Sequence, residues 1–204
     1  MDKIDSLDKI NAFVSDIRSW RKGYLTNFFL DRKKHSLWIE KGELFYVSFP
    51  DCYFLLHLTN SVNNLFFITT TSQQLAENLK AFLPIFAEQM VVDIVGDAKI
   101  VDLKDVFVEQ GFSVYEQLYR MNRIGTLEFK EIDTPNVCFA EDVDAQVVLD
   151  MLHSYFDPLS EQLPSYEEIL YFISRKSVLV YKEAGKVYGF VIFELNGQTL
   201  YPVS

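Results

Sequence analysis

The N-terminal hydrophobic positions follow the spacing of an amphipathic helix. Between residues 3 and 20, apolar side chains recur every three or four residues and share one helical face: Ile4, Leu7, Ile10, Phe13, Ile17 and Trp20. Four strand-like runs rich in aromatic and β-branched residues come next: Ser36–Glu40, Glu43–Phe49, Tyr53–Thr59 and Leu65–Thr71. We expect these runs to form an antiparallel meander that covers the apolar face of the helix.

The helical period then returns. A helix is predicted from Ser72, an expected N-cap, to the region of Pro84, which cannot continue it. Three further elements follow along the chain: a buried strand at Met90–Val95, a short helix at Val101–Gln110 that ends at Gly111, and a long strand at Phe112–Ile124. The pattern predicts an α+β unit, in which helices pack on a largely antiparallel sheet.

The same plan begins again after a polar segment. We predict one domain at residues 1–126, a linker at 127–135 and a second domain at 136–204. The second domain is predicted to open with a strand at Asn136–Ala140 and a helix capped by Asp142 or Asp144. A further helix begins at the capping box formed by Ser165 and Glu168.

Three antiparallel strands are predicted for the last part of the chain. Their apolar runs are Val178–Tyr181, Val187–Leu195 and Leu200–Val203, separated by Ala184-Gly185 and Asn196-Gly197. Asn-Gly between apolar runs is a strong hairpin signal, because both central residues of a type I′ turn need a positive φ.

Residues 35–49 and 176–193 resemble each other. In both segments a basic residue precedes a serine and three apolar residues, and a turn with lysine and glycine leads into a long aromatic strand. We interpret this as the trace of a duplicated unit. Chance similarity between two hairpins is the alternative.

Composition and charge exclude several classes of protein. Half of the chain is apolar (49%), which excludes disorder as the main state, and no apolar run is long enough to span a membrane. The charged N-terminal segment is unlike a secretory signal, and the net charge of −10 repels nucleic acid. The one basic run, Arg32–His35, is interpreted as a solvated turn. We predict a cytoplasmic protein that binds neither nucleic acid nor membrane.

No metal or disulfide pattern is present in the sequence. Cys52 and Cys138 are far apart and are expected to be reduced thiols. The three histidines share no ligand spacing, so no metal site is predicted.

The order strand, helix, helix and three strands in residues 136–204 resembles the first half of the GNAT acyl-CoA N-acyltransferases. The segment SVLVYKEAGKVYGFVIFELNG carries the resemblance, with Tyr188-Gly189 before an apolar run. The first domain resembles a divergent copy, so the chain resembles a tandem GNAT protein with two mostly antiparallel sheets packed with helices. The resemblance implies acetyl-CoA or another acyl-CoA as co-substrate and a small-molecule or peptide amine as acceptor.

The family's pyrophosphate loop, Arg/Gln-x-x-Gly-x-Gly/Ala after the fourth strand, is absent from the sequence. The corresponding junction of the first domain, residues 69–74, has no glycine, and its hydroxyl groups are interpreted as helix caps. The sequence reaches Ser204 where the fourth strand of the second domain should finish. We therefore expect a degenerate first copy and a truncated second copy, with little activity in residues 1–204.

The resemblance suggests two catalytic candidates. Glu194 lies at the end of the third strand and is proposed as the base that takes the amine proton. Tyr201 lies on the fourth strand and is proposed to line the acyl pocket. A solvated strand end for Glu194 and ordinary packing for Tyr201 stay open as alternatives.

Two other functional hypotheses stay open. The chain could be a non-catalytic binding or assembly module that forms a homo-oligomer through an exposed sheet edge. It could also be an unrelated α+β protein with an aromatic pocket for a small molecule.

Overall fold

The computed structural model describes residues 1–95, 100–118, 134–196 and 199–202. The chain divides into two compact units, the first unit at Met1–Tyr115 and the second unit at Glu116–Ser204. Most of the predicted linker, residues 127–133, lies outside the described residues. The architecture is α+β, as the sequence predicts, and its sheets are antiparallel.

The first unit contains one five-stranded sheet. Its elements in chain order are β1 (Asp2–Lys3), α1 (Leu7–Ser19), β2 (Leu25–Thr26), α2 (Arg32–Lys41), β3 (Leu44–Phe49), β4 (Cys52–Leu58), β5 (Asn63–Thr69), α3 (Ser72–Phe82) and α4 (Ile100–Glu109). The strand order is β1-β3-β4-β5-β2, and every neighbouring pair is antiparallel. The predicted meander is confirmed for its last three strands.

Both faces of this sheet are covered by helices. Alternate residues of β4 and β5, including Leu55 and Ile68, pack against α1 and α2. The intervening residues, including Phe54 and Phe67, pack against Leu75, Leu79 and Phe82 of α3 and Phe107 of α4. Because successive side chains of a strand point to opposite faces, each strand supplies two separate cores.

The predicted strand at Ser36–Glu40 is wrong, because this segment lies in α2. The Asp31 carboxylate accepts the Lys33 and Lys34 backbone N–H groups and caps the helix. Gly42 ends it with a φ of 71°, in the left-handed region that favours glycine. Residues 35–41 are therefore helical, whereas Val178–Glu183 is a strand, so the residue-by-residue match between the two segments is also wrong.

Several predicted element boundaries are also corrected. The helix predicted from residue 3 begins at Leu7, and the cap of α3 is Thr71, whose hydroxyl accepts the Gln74 N–H. Met90–Val95 is not a strand and makes only a parallel bridge between Val91 and Asn64. Met90, Val92 and Ile94 of this segment instead pack against the core that includes Leu75 and Leu79 of α3. Residues 112–118 form no strand, and residues 119–124 lie outside the described residues.

The second unit contains a four-stranded sheet. Its elements are β6 (Val137–Phe139), a 3₁₀ turn at Asp142–Asp144, α5 (Ala145–Tyr155), α6 (Tyr166–Ser174), β7 (Val178–Glu183), β8 (Lys186–Asn196) and β9 (Thr199–Pro202). The strand order is β6-β7-β8-β9, and all pairs are antiparallel. One face of the sheet packs on α5 and α6 through a core that includes Val148, Ile169 and Val180.

The local signals of the second unit are largely confirmed. Ser165 and Glu168 form the predicted capping box. Ala184 and Gly185 have φ values of 48° and 80°, as a type I′ turn requires. Asp144 precedes the 145–155 helix, but its side chain does not cap that helix. Its carboxylate instead accepts hydrogen bonds from the Glu141 N–H and from the Lys182 Nζ.

The two units share one topological plan. In each, a short strand is followed by two helices and three consecutive strands, and these four strands lie side by side in chain order: β1-β3-β4-β5 and β6-β7-β8-β9. Helix α2 therefore corresponds to α6, and β3 corresponds to β7. The extra strand β2 is a feature of the first unit, where it lies on the far edge of β5.

Candidate functional site

The outer edge of β5, the fourth strand of the plan in the first unit, is occupied by the chain itself. Strand β2 pairs along it, with Leu25 opposite Thr69 and Thr26 opposite Ile68. The Thr26 hydroxyl also donates to the Phe67 carbonyl at 2.6 Å. The C-terminal end of this edge is therefore closed by the loop between α1 and α2.

The Asn27 side chain closes the next part of the edge. Its Oδ1 accepts the Phe67 N–H at 2.7 Å, and its Nδ2 donates to the carbonyls of Leu65 and Asp93 at 3.2 and 3.0 Å. Beyond it, the Leu65 N–H donates to the Val91 carbonyl at 2.8 Å. The Asn27 amide therefore links β5 to the segment around Asp93 through hydrogen bonds to both.

The same loop covers the junction between β5 and α3. Gly23 has a φ of 129°, and a Cβ atom there would lie 2.5 Å from the Thr70 carbonyl oxygen. Lys22 Nζ lies 3.2 Å from Asp51 Oδ2. The backbone carbonyl of Asp51 in turn accepts the Thr70 N–H and the Thr69 hydroxyl. The junction is thus held together by contacts within the chain.

Charge at this junction disfavours a phosphate group. Asp51 Oδ1 is buried and has no hydrogen-bond partner among the described residues. A carboxylate oxygen in this position repels an anion, and the positive charge of Lys22 is already paired with Asp51. The helix N-terminus of α3 therefore lacks the surroundings of an anion site.

The two predicted catalytic residues are brought together by the backbone of the second unit. Glu194 on β8 is the direct cross-strand partner of Tyr201 on β9. Cα atoms of directly opposed residues in an antiparallel pair lie about 4.5 to 5.5 Å apart. Glu194 and Tyr201 are seven positions apart in the sequence, and the register of the hairpin makes them neighbours.

A buried cluster of aromatic rings and histidines in the first unit was missed by the sequence analysis. The His57 ring stacks on Trp38 with centroids 3.7 Å apart and an angle of 8° between the planes. His35 lies against the edge of Trp38 and stacks on Phe28. The spacing of His35 and Trp38, three residues apart, would have indicated this cluster if residues 32–41 had been assigned to a helix.

Both histidines of this cluster are neutral near pH 7. Burial lowers the pKa of His57 to about 3, with further lowering by Lys34 and Lys41, although Glu43 Oε2 lies only 3.2 Å from Nε2. Burial and Lys34 lower the pKa of His35 to about 4. The Asp31 N–H donates to His35 Nδ1, so the ring proton of the neutral form lies on Nε2. The cluster is a packed part of the core.

The cysteines offer no redox pair among the described residues. Both are free thiols: Cys52 is buried and Cys138 is exposed. Burial raises the pKa of the Cys52 thiol to about 12, which keeps it protonated and unreactive. Within the ranges that the structure describes, no group of three or more His, Cys, Asp or Glu residues could hold a metal ion.

These observations define an α+β protein whose two units share one order of strands. In the first unit, the outer edge of the fourth strand, β5, is closed. No described helix has both the length and the apolar character needed to cross a membrane. Comparisons of the chain with family models, with curated proteins and with solved structures find no match. The functional argument therefore rests on the order of the strands and on the surroundings of the fourth strand in each unit, β5 and β9.

Proposed function

We propose that this chain belongs to a GNAT-type N-acyltransferase built from two tandem units. The observation that supports this proposal most strongly is the order of elements. Apart from β2, which lies between the two helices of the first unit, both units have the order strand, helix, helix and three strands, and these four strands are adjacent in chain order. This is the arrangement that the resemblance implies for the first half of a GNAT domain. A fold alone does not fix an activity, so the activity must be argued from the residues of the site.

In the proposal, the first unit is a copy that does not bind acyl-CoA. The resemblance would place the cofactor along the fourth strand, which is β5 here. That edge is occupied by β2, by the Asn27 side chain and by Val91. A ligand that pairs with the β5 backbone would have to break these hydrogen bonds, each of which contributes about 1 kcal/mol.

Acyl transfer is assigned to the second unit. The nitrogen lone pair of an amine attacks the thioester carbonyl of acyl-CoA, a C–N bond forms, and the C–S bond breaks. Glu194 is proposed to take the proton that the amine loses, and the coenzyme A thiolate leaves and is protonated. Tyr201, opposite Glu194 on β9, is proposed to line the acyl group. The cofactor would lie beside β9, the fourth strand of this unit.

A calorimetric titration with acetyl-CoA tests the proposal. We expect no micromolar binding by residues 1–204, because the first unit is closed and the second has no pyrophosphate loop in this sequence. A polypeptide in which an Arg/Gln-x-x-Gly-x-Gly/Ala loop and a helix follow β9 should bind one acetyl-CoA per chain with micromolar affinity. Micromolar binding by residues 1–204, or absence of binding by that longer polypeptide, would contradict the proposal.

The matched variant in that experiment is Glu194→Gln in the longer polypeptide. It should keep the affinity for acetyl-CoA and reduce release of coenzyme A in the presence of an amine by about 100-fold, which is typical for the loss of a general base. An unchanged rate would remove Glu194 from the proposed mechanism without affecting the assignment of the fold.

The second candidate function is a non-catalytic assembly module with the same fold. It is favoured by an apolar sheet face of the second unit on which Phe139 and Val191 are exposed. Absence of acetyl-CoA binding by the longer polypeptide would support this candidate over the enzyme.

A further inference from the structure

Positive charge is concentrated in one short segment of the first unit. Residues 18–34, here called the basic segment, contain a single acidic residue, Asp31, in a chain with 19 basic and 29 acidic residues. The segment has six cationic residues: Arg18, Arg21, Lys22, Arg32, Lys33 and Lys34. The net charge of −10, from which no membrane binding was predicted, therefore averages over a segment of the opposite sign.

The fold lays the basic segment along one edge of the five-stranded sheet. The segment begins in the last turn of α1, passes through β2 on the outer edge of β5 and ends in the first turn of α2. Arg32–His35 is therefore helical and is not the solvated turn that the sequence suggested. Gly23 lies against Thr70 and Phe28 packs against Phe66, so the segment follows the edge for about 15 Å.

Large apolar side chains of the basic segment are exposed beside these charges. Phe29 is 67% accessible, and Trp20, Tyr24 and Leu30 are 39%, 37% and 37% accessible. Phe28 is buried in the core, which anchors the backbone next to Phe29 and leaves Phe29 at the surface. An apolar environment that took up these side chains would stabilise the protein in contact with it.

The arrangement favours a lipid surface over a nucleic acid. Arg18 Cζ lies 4.4 Å from the centre of the Tyr24 ring, and Lys22 Nζ lies 5.3 Å from the centre of the Trp20 ring. One face of each ring on which a base would stack is therefore already covered. Leu30 has no ring for stacking. Aromatic and aliphatic side chains beside lysine and arginine instead match the headgroup region of a bilayer, where anionic lipids attract the cations.

We propose that the basic segment attaches the protein to membranes that carry anionic lipids. Phe29 and Leu30 enter the boundary between the headgroups and the acyl chains, and Trp20 and Tyr24 lie at the level of the headgroups. The cations of the segment contact the lipid phosphates. The attachment is peripheral, because side chains enter the surface and the segment does not cross it. It involves residues of the first unit and does not depend on acyl transfer.

Titration of the chain with lipid vesicles tests the proposal. The probes are vesicles of phosphatidylcholine alone and vesicles with about 40% phosphatidylglycerol, at low ionic strength. Trp20 is 39% accessible and Trp38 only 5%, so a change in tryptophan emission reports Trp20. We expect a blue shift and co-sedimentation with the anionic vesicles. Neither should occur with phosphatidylcholine alone or in about 0.5 M NaCl.

Charge reversal at the start of α2 tests the electrostatic part. A double variant with Arg32→Glu and Lys33→Glu should weaken binding to the anionic vesicles at least about tenfold. Acidic residues suit a helix N-terminus, so this variant should fold. The matched control combines Lys80→Glu and Lys104→Glu, which change the net charge equally at exposed positions of α3 and α4. It should bind nearly as well as the unchanged protein.

Phe29→Ser tests the apolar part and should weaken binding about tenfold, since less apolar surface enters the lipid. Ile85→Ser is its control at a 55% accessible position outside the basic segment, and it should leave binding unchanged. Absence of binding to the anionic vesicles, or equal loss in a variant and its control, would overturn the proposal. Binding of a single-stranded oligonucleotide without binding to the vesicles would also overturn it and would indicate a nucleic acid as the partner.

Discussion

Lowering the pH from about 7 to about 4.5 is expected to reduce the unfolding free energy of the first unit by about 5 kcal/mol through His35 and His57. Both rings have a pKa below the ordinary value of 6.5 in the folded protein, about 4 for His35 and about 3 for His57. Below 6.5 the unfolded chain therefore binds protons that the folded chain does not. Stability is fully present above this value and falls as the pH decreases toward the folded pKa values.

Urea denaturation followed by tryptophan fluorescence measures this effect. Both tryptophans, Trp20 and Trp38, belong to the first unit, so the signal reports its unfolding. In His57→Phe the ring can still stack on Trp38 but cannot be protonated. We expect this variant to lose about half of the extra acid sensitivity, about 2 to 3 kcal/mol.

His153→Phe is the control for that measurement, because His153 is exposed and lies in the second unit. It should retain the acid sensitivity of the unchanged protein. If H57F and the unchanged protein lost equal stability between pH 7 and pH 4.5, the buried neutral state of His57 would be refuted.

Asn27→Ala is expected to destabilise the first unit by about 3 kcal/mol, the cost of leaving partly buried backbone groups without partners. The substitution removes the acceptor of the Phe67 N–H and the donor to the Leu65 and Asp93 carbonyls. Urea denaturation gives the loss of stability, and amide hydrogen exchange should show faster exchange at Phe67.

Asn60→Ala provides the comparison for Asn27. Asn60 is exposed in the turn between β4 and β5, so its replacement should change stability by less than about 0.5 kcal/mol. A loss below about 1 kcal/mol for N27A, with slow exchange retained at Phe67, would show that the β5 edge is closed by other contacts.

The sequence predicted the elements whose signals are local. The helix periodicity of residues 3–20, the capping box at Ser165 and the turn at Ala184-Gly185 each act over a few residues. The helix is confirmed over Leu7–Ser19, and the capping box and the turn are also confirmed. The prediction of a strand at Ser36–Glu40 was wrong because the apolar residues of this segment fit a strand and a helix equally well. The Asp31 cap and the Gly42 stop decided between them.

The candidate site was harder to predict because it depends on contacts between distant residues. Nothing near Asn27 in the sequence indicates that its side chain bonds to Phe67, 40 positions away. The neighbouring positions of Glu194 and Tyr201 follow from the hairpin, which the Asn196-Gly197 signal predicts, although Gly197 itself lies outside the described residues. The duplication was inferred from a residue pattern that the structure corrects, whereas the common order of strands could be read only from the structure.

Cross-strand NOEs between backbone protons test the shared plan of the two units most directly. We predict contacts of Tyr46 with Leu55 and of Leu55 with Phe66 in the first unit, and of Cys138 with Val180 and Val180 with Phe190 in the second. These contacts would establish two antiparallel sheets with the same order of strands. Contacts that join β3, β4 or β5 to β7 or β8 in one continuous sheet would contradict the plan and, with it, the proposed acyltransferase.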